Sequence, residues 1–328
     1  MLSGRPASIS SRPIVLVKES TLTPVLTLGG HGDTVSAISY FPDGKRIISG
    51  SNDKTTREWD LEAGKEVEEA QDICKQEAHA VGVSRDGRWV VSAGGDFNIG
   101  ELKVCEVETG TVRAFEGHSM TINSIDISGD SILLASGSLD GTTRIWSLET
   151  GKLVAGPFNS INWVNAVRFS QDSKKLTVIS SWGNYLEVWD VRSQKLDVHT
   201  GNPSSRYDTY APVFWTTEDK TIVITFSLTD TSIKTVYEFD APTLETIGAP
   251  FEGHTQAITG LALSLDCALL ASASYDNPIK NLFTRGAGNN RIPLIMMPRP
   301  RHASCLRRWS GKISTGEGNI TSIVPNID

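Results

Sequence analysis

The sequence predicts an all-β chain assembled from repeated four-stranded units, and three observations carry that prediction. The stretch GHSMTINSIDISGDSILLASGSLDGTTRIWSLETGK, residues 117–152, recurs as GHGDTVSAISYFPDGKRIISGSNDKTTREWDLEAGK at residues 30–65, offset by 87 at every matched position. Between them lies a weaker copy, AVGVSRDGRWVVSAGGD, whose Asp86 falls 43 after Asp43 and 44 before Asp130. The period is therefore the forty-odd residues of one four-stranded propeller blade. Within each copy Gly, Asp, Asn and Ser return about every eight to twelve residues between β-branched and apolar runs, which is the punctuation of short strands joined by tight turns.

Composition agrees with such an array. A chain of 328 residues would ordinarily suggest two domains, but a ring of repeats reaches that length as one body because each unit packs on its neighbours. Hydrophobic residues make up 39%, enough for a core, and the net charge of −7 argues against non-specific nucleic-acid binding by the whole body. Cys74, Cys105, Cys267 and Cys305 form no CxxC pair, so neither a zinc site nor a compact disulfide framework is indicated. No apolar run approaches the roughly 18 residues of a membrane span. The expectation is a reduced, cytoplasmic setting, with the nucleus as an alternative, no membrane partner and no cofactor.

In the two strong copies His31, Ser49, Asp53 and Trp59 match His118, Ser136, Asp140 and Trp146. A Trp ring buried between sheets brings an indole N–H that must find an acceptor, and a hydroxyl, an imidazole and a turn carboxylate can relay that bond to the loop backbone. At these residues the chain resembles the WD-repeat family, whose blades carry Gly-His before the innermost strand and Trp-Asp at the end of the third. The resemblance covers roughly residues 24–283. It implies a β-propeller in which each set of four side chains forms a buried relay. The array is also similar to the WD-repeat halves of NOD-like NTPase proteins, though no NTPase half is present in this sequence.

Taken in order, residues 1–23 form an N-terminal segment rich in Ser, Arg and Pro at its start and expected to be partly disordered. PVLTLGG at 24–30 alternates as a strand, and the resemblance places it as the outer strand of a preceding blade, so it is expected to close onto the last blade. The first repeat predicts strands near 35–40, 46–50, 55–59 and 65–68, with the FPDGK hairpin turn between the first two. The second keeps Ser92 and Asp96 but puts Cys74 in the His place and Cys105 in the Trp place, where a thiol fills space. In the fourth, Trp189-Asp190 ends the third strand, yet Ser160 stands for His and Gly183 for the turn Asp. The fifth shows β-branched alternation and Phe239-Asp240, and the sixth returns to His254, Ser272 and Asp276. Six repeats are recognisable, which fits a six-bladed ring or an incomplete ring of seven.

The pattern then stops at residue 278. Residues 278–328 carry eight Lys or Arg against Glu317 and Asp328, a balance of +6, whereas the preceding residues sum to −13. Residues 284–328 are expected to be a basic, non-repeat tail, either of separate origin or following a reading-frame or splice boundary. No regular blade is expected there. Nucleic acid could meet this chain only through that tail.

No catalytic constellation stands out, and an enzyme with a site on the propeller face is the weaker class of function. Gly64-Lys65 and Gly151-Lys152 lack the flanking residues of a phosphate loop, and the three relay histidines sit too far apart in sequence to form a metal trio. Resemblance to WD-repeat proteins implies instead a non-catalytic scaffold or sensor module that binds a protein or peptide on one face. Trp189-Asp190-Val191-Arg192 is also similar to the box through which some WD-repeat substrate receptors dock onto cullin-RING ubiquitin ligases; the alternative is a solvated Arg at a blade corner.

The family's contact places lie three and five residues after the His and one before the turn Asp. Carried onto this chain they give Thr34, Ser36 and Asn52; Glu77, His79 and Gly95; Thr121, Asn123 and Leu139; Trp163, Asn165 and Trp182; Tyr210 and Pro212; and Ala257, Thr259 and Tyr275. Interfaces are enriched in Trp and Tyr as anchors, so Trp163, Asn165, Trp182, Tyr210, Tyr275 and Leu139 are the candidate partner-binding residues. Trp163 and Trp182 have a second reading, filling the space left by the absent His and Asp of the fourth repeat; the two readings weigh equally for Trp182, whereas contact is favoured for Trp163 and Tyr210.

Overall fold

The structure is a computed structural model that describes residues 25–67, 76–180, 184–201, 213–216, 219–226, 234–263, 269–276, 279–283 and 319–322. The described residues form antiparallel sheets whose strands follow the repeats. After β1 (Leu26–Gly29), the first sheet runs β2 (Val35–Tyr40), β3 (Arg46–Ser51), β4 (Thr56–Asp60) and β5 (Lys65–Glu66). The second holds β6 (Ala78–Val83), β7 (Trp89–Gly95), β8 (Gly100–Glu106) and β9 (Thr111–Ala114). The third holds β10 (Ile122–Ile127), β11 (Leu133–Ser138), β12 (Thr142–Ser147) and β13 (Leu153–Asn159). The fourth holds β14 (Val164–Phe169), β15 (Lys175–Ser180), β16 (Tyr185–Asp190) and β17 (Lys195–Gly201). The fifth comprises β18 (Phe214–Trp215), β19 (Thr221–Thr225) and β20 (Val236–Asp240), and the sixth β21 (Ile258–Leu263), β22 (Leu269–Ser274) and β23 (Ile279–Phe283). A seventh, two-stranded sheet pairs β1 with β24 (Asn319–Ser322).

Repetition extends to irregularities. The first strand of five sheets carries a register shift at the same place, between Val35 and Ala37, Ala78 and Ala80, Ile122 and Ser124, Val164 and Ala166, and Ile258 and Gly260. An extra residue at that point bends the strand and raises its twist, which suits a sheet that must fan out beside its neighbours.

Each sheet packs on the next through its own apolar cluster. Leu26 and Leu28 of β1 meet Val35, Ile47 and Trp59 of the first sheet; Phe41 and Ile48 meet Val81 and Val90 of the second; Trp89 and Leu102 meet Leu134 and Trp146 of the third. Ile145 and Phe158 then meet Val167 and Leu176, Ile179 and Leu186 meet Trp215 and Phe239, and Val223 meets Leu261 and Leu270. Burying a side chain of Leu or Ile size contributes about 1.5–3 kcal/mol, so stability is distributed along the array rather than held in one central core. Cys105 packs in the second of these clusters, and burial pushes its thiol above the ordinary range.

The end of the chain differs from expectation. The N-terminal strand does not close onto the last recognisable repeat; β1 pairs with β24, from Leu26↔Ser322 to Gly29↔Asn319. β24 lies inside the 284–328 segment in which no regular blade was expected. Pairing needs only an extended run, and NITSIV is rich in β-branched residues without any Trp-Asp end to announce it. Of that segment only residues 319–322 are described, so the expected basic tail otherwise lies outside the described residues, as does the expected disorder of residues 1–23. Among the described residues no helix is long and apolar enough to cross a membrane.

Candidate protein-interaction surface

The segment leading into each first strand and the turn between second and third strands share one end of each sheet, because β2 and β3 run antiparallel with Val35 opposite Ser51. That end is held by the relay. In the first sheet Trp59 Nε1 donates to Ser49 Oγ at 2.8 Å, Ser49 Oγ meets His31 Nε2 at 2.7 Å, and His31 Nδ1 meets Asp53 Oδ2 at 2.8 Å. A carboxylate can only accept, so Nδ1 carries the imidazole proton and Nε2 accepts from the serine. Asp53 then also accepts from Gly32 N, Thr55 N and Thr55 Oγ1, which ties the two loops together. In the third sheet His118, Ser136, Asp140 and Trp146 repeat every step at 2.8–2.9 Å. His254, Ser272 and Asp276 make the same bonds in the sixth.

Electrostatics follow from this geometry. Burial lowers the His31 pKa below 6.5 despite the neighbouring Asp53 carboxylate. Burial alone would raise Asp53, but donation from Thr55, Gly32 and His31 brings its carboxyl down from 3.8 to about 2. Asp140 is held well below the ordinary carboxylate range by His118 and Thr142, again against the cost of burial. These groups are spent on structure. Among the described residues no group of three or more His, Cys, Asp or Glu could hold a metal ion.

The fourth sheet solves the same problem with different atoms. Trp189 Nε1 donates to Glu187 Oε2 at 2.9 Å, Ser160 Oγ donates to the same oxygen at 2.9 Å, and Ser180 Oγ donates to Oε1 at 3.2 Å. Glu187 is 3% exposed. Sequence reasoning missed it, although a signal exists: two residues before the Trp place the chain has Arg57, Lys103 and Arg144, then reverses sign at Glu187.

The six candidate contact residues do not share one environment. Tyr275 is 57% exposed beside the Asp276 turn, and Trp163 is half-buried. Leu139 and Asn165 are each only 9% exposed, so little of either side chain reaches the surface; Leu139 N donates to Thr121 O, which ties that turn to the strand entry. Ser36 and Thr121, at equivalent places, are buried too, with Ser36 Oγ donating to Asn52 Oδ1. Trp182, Tyr210 and Pro212 lie outside the described residues, as do Cys74 and Gly183. Arg192 is exposed, while Asp190 before it is engaged by Lys175 Nζ and Ser193 N.

Three apolar side chains at this end escaped the sequence reading. Phe97 (69% exposed) and Ile99 (52%) project from the turn between β7 and β8, and Ile161 (59%) from the segment before β14. Their signal was an apolar residue inside a turn where polar chemistry is the rule.

The model described as "WD domain, G-beta repeat" matches residues 22–60, 110–147 and 245–277, which are the repeats that carry the His–Ser–Asp bonds. The chain is 29% identical over 222 residues to the small ribosomal subunit protein RACK1 of Caenorhabditis elegans, covering 52% of this chain and 65% of that protein. It is 35% identical over 113 residues to guanine nucleotide-binding protein subunit beta-5b of Danio rerio, covering 34% of this chain and 28% of the relative. It is 29% identical over 181 residues to the nuclear distribution protein nudF of Aspergillus niger, covering 52% and 38%. The chain thus spans less than two thirds of the length of each of these relatives. Repeat spacing, relay geometry and the matched segments agree: the chain carries WD repeats, and its sheets are built as the blades of a β-propeller.

Proposed function

We propose that the chain is a non-catalytic interaction scaffold whose protein or peptide partner docks at the relay end of the sheets. The observation that carries this reading is the exposure of Phe97, Ile99, Ile161 and Tyr275 at that one end, on turns tied by side-chain hydrogen bonds such as those that Asp96 accepts from Asn98 N and Ile99 N and that Ser274 Oγ accepts from Asp276 N. Large apolar side chains gain nothing from water, whereas rigidly held aromatic and aliphatic anchors lower the entropic cost of binding. The relatives support the class, since one is named as a ribosomal subunit protein and another as a beta subunit, both components of larger assemblies. Phe97, Ile99, Ile161 and Tyr275 replace Leu139 and Asn165 as the contact residues, and Trp163 stays beside them.

The test is affinity purification of the native protein in parallel with a Phe97→Ser, Ile99→Ser, Tyr275→Ser variant. Partners held by the native protein and lost by the variant, at unchanged melting temperature, are the expected result. Partners retained in full by the folded variant would place recognition elsewhere.

A further inference from the structure

At the opposite end of the sheets, the turns between first and second strands are linked from one sheet to the next by a recurring bond. Ser131, Ser173 and Asp219 occupy the same turn place with left-handed backbone, φ 62°, 58° and 54°. Each reaches back to the turn before it. Ser131 Oγ accepts from Asp86 N at 3.3 Å, Ser173 Oγ accepts from Gly129 N at 3.3 Å, and the Asp219 carboxylate accepts from Gln171 N at 2.6 Å and Asp172 N at 2.9 Å. In the second repeat that place is Gly87 (φ 74°), which has no side chain to offer, and the turn it faces presents Pro42, which has no N–H to give. With no side chain at Gly87 to accept, the side-chain link of the later junctions is absent here.

At this junction the surface opens into a cleft of about 420 Å³, lined by Tyr40, Pro42, Val83, Arg85, Ile127 and Gly129 among others. Tyr40 is 50% exposed, in a chain whose other inner-strand residues at this end are mostly covered. Arg85 is the one charged residue of the lining, and it makes no hydrogen bond or ion pair with any described residue. The adjacent carboxylates do not serve it. Asp86 accepts from Ser84 Oγ and Arg88 N, Asp130 from Ser128 Oγ and Ile132 N, and Asp43 from Lys45 N and Arg46, each folded into its own turn.

We propose that this cleft is a second docking surface, distinct from the relay end, for an extended, mainly apolar segment of a protein partner that carries a single carboxylate. One partner carboxylate pairs with the Arg85 guanidinium, whose planar fork suits bidentate contact, and a neighbouring aliphatic side chain covers Tyr40, Pro42 and Ile127. A polyanion such as nucleic acid is disfavoured by the same geometry, because a single cation flanked by Asp43, Asp86 and Asp130 rewards one well-placed carboxylate and repels a continuous negative chain.

The test is fluorescence anisotropy of the full chain with two short synthetic peptides of equal length built of Leu and Ser, the acidic one carrying a single central Glu and the basic one a single central Lys. The acidic peptide should bind and the basic one should not. Arg85→Gln should weaken the acidic peptide by about tenfold or more, and Arg85→Glu should reverse the preference. Tyr40→Ser should weaken binding as well, while Phe97→Ser and Tyr275→Ser at the other end should leave it unchanged. Equal binding of both peptides, binding that survives Arg85→Gln, or no binding at about 1 mM peptide would overturn the proposal.

Discussion

The third and fourth sheets have the same strand order, the same shifted register in the first strand, and a Trp paired opposite a Leu, Leu134↔Trp146 and Leu176↔Trp189. Their buried polar chemistry is different. In the third sheet the indole N–H donates to Ser136, Ser136 to His118 and His118 to Asp140, a series of hydrogen bonds that ends where Asp140 accepts from the loop backbone. In the fourth, Val178 occupies the Ser136 place, opposite Glu187, and the indole goes straight to Glu187, a carboxylate that also gathers Ser160 and Ser180. What a blade requires is therefore an acceptor for its tryptophan and a tie between its loops, and not a particular quartet of residues. The two solutions carry different risks: a relay spreads the cost of burial over four groups, whereas the carboxylate concentrates it on one.

The largest effect should come from that concentration. Glu187→Ala should destabilise by about 2–4 kcal/mol, because it strands three donors at once, and Glu187→Gln should cost less than half as much by keeping an amide oxygen in place. Chemical denaturation of the two variants checks this; equal losses would mean that charge, not acceptance, matters at this position. Asp140→Ala should cost about 1–3 kcal/mol, less than Glu187→Ala, since His118 keeps Ser136 as a partner. A neutral thermal shift for Asp140→Ala would count against the relay as a source of stability.

Acidification should separate the sheets more gently. His31 titrates below 6.5 when folded, so the deprotonated form is favoured by the fold, and the stability it contributes declines as pH falls below 6.5. Asp53, lowered from 3.8 to about 2, adds stability that is complete above 3.8 and is lost as pH falls towards 2. Hydrogen exchange of β3 and β4, corrected for intrinsic rates, should therefore quicken between pH 7 and 5, while β15 and β16, whose relay contains no imidazole, should change less over the same range. The smallest effect belongs to the surface. Arg192→Ala and Tyr275→Ser should each shift stability by less than about 0.5 kcal/mol, as read by thermal melting, because neither side chain belongs to a buried network.

Most of the fold was legible because its signals repeat. The first sheet was expected near 35–40, 46–50 and 55–59 and runs Val35–Tyr40, Arg46–Ser51 and Thr56–Asp60. The contact surface was legible only in part. A place three or five residues after the His was assumed to face solvent, but the register shift in the first strands turns Ser36 and Asn165 inward, Thr121 is held inward by its N–H on Asp96 O, and the exposed apolar residues sit instead in turns such as Asp96-Phe97-Asn98. Exposure depends on how a loop folds over its neighbour, which a fixed offset from one residue does not carry.

The sequence by itself determined what lies inside one blade. The bonds from His31 to Ser49, from Trp59 to Ser49 and from His31 to Asp53 span 18, 10 and 22 residues, and the third repeat keeps every one of those intervals, so spacing alone specifies both the strands and the groups that meet between them. The tertiary structure decided what passes from one blade to another. Asp219 on Gln171, Ser131 on Asp86, Asp126 on Arg168 and Phe169, and the pairing of β1 with β24 each join residues of different units. Those contacts depend on the angle and offset at which two finished sheets pack, and on what the facing residue has to offer. Gly87 against Pro42 shows the consequence, since the same turn place that links three junctions leaves the first one open.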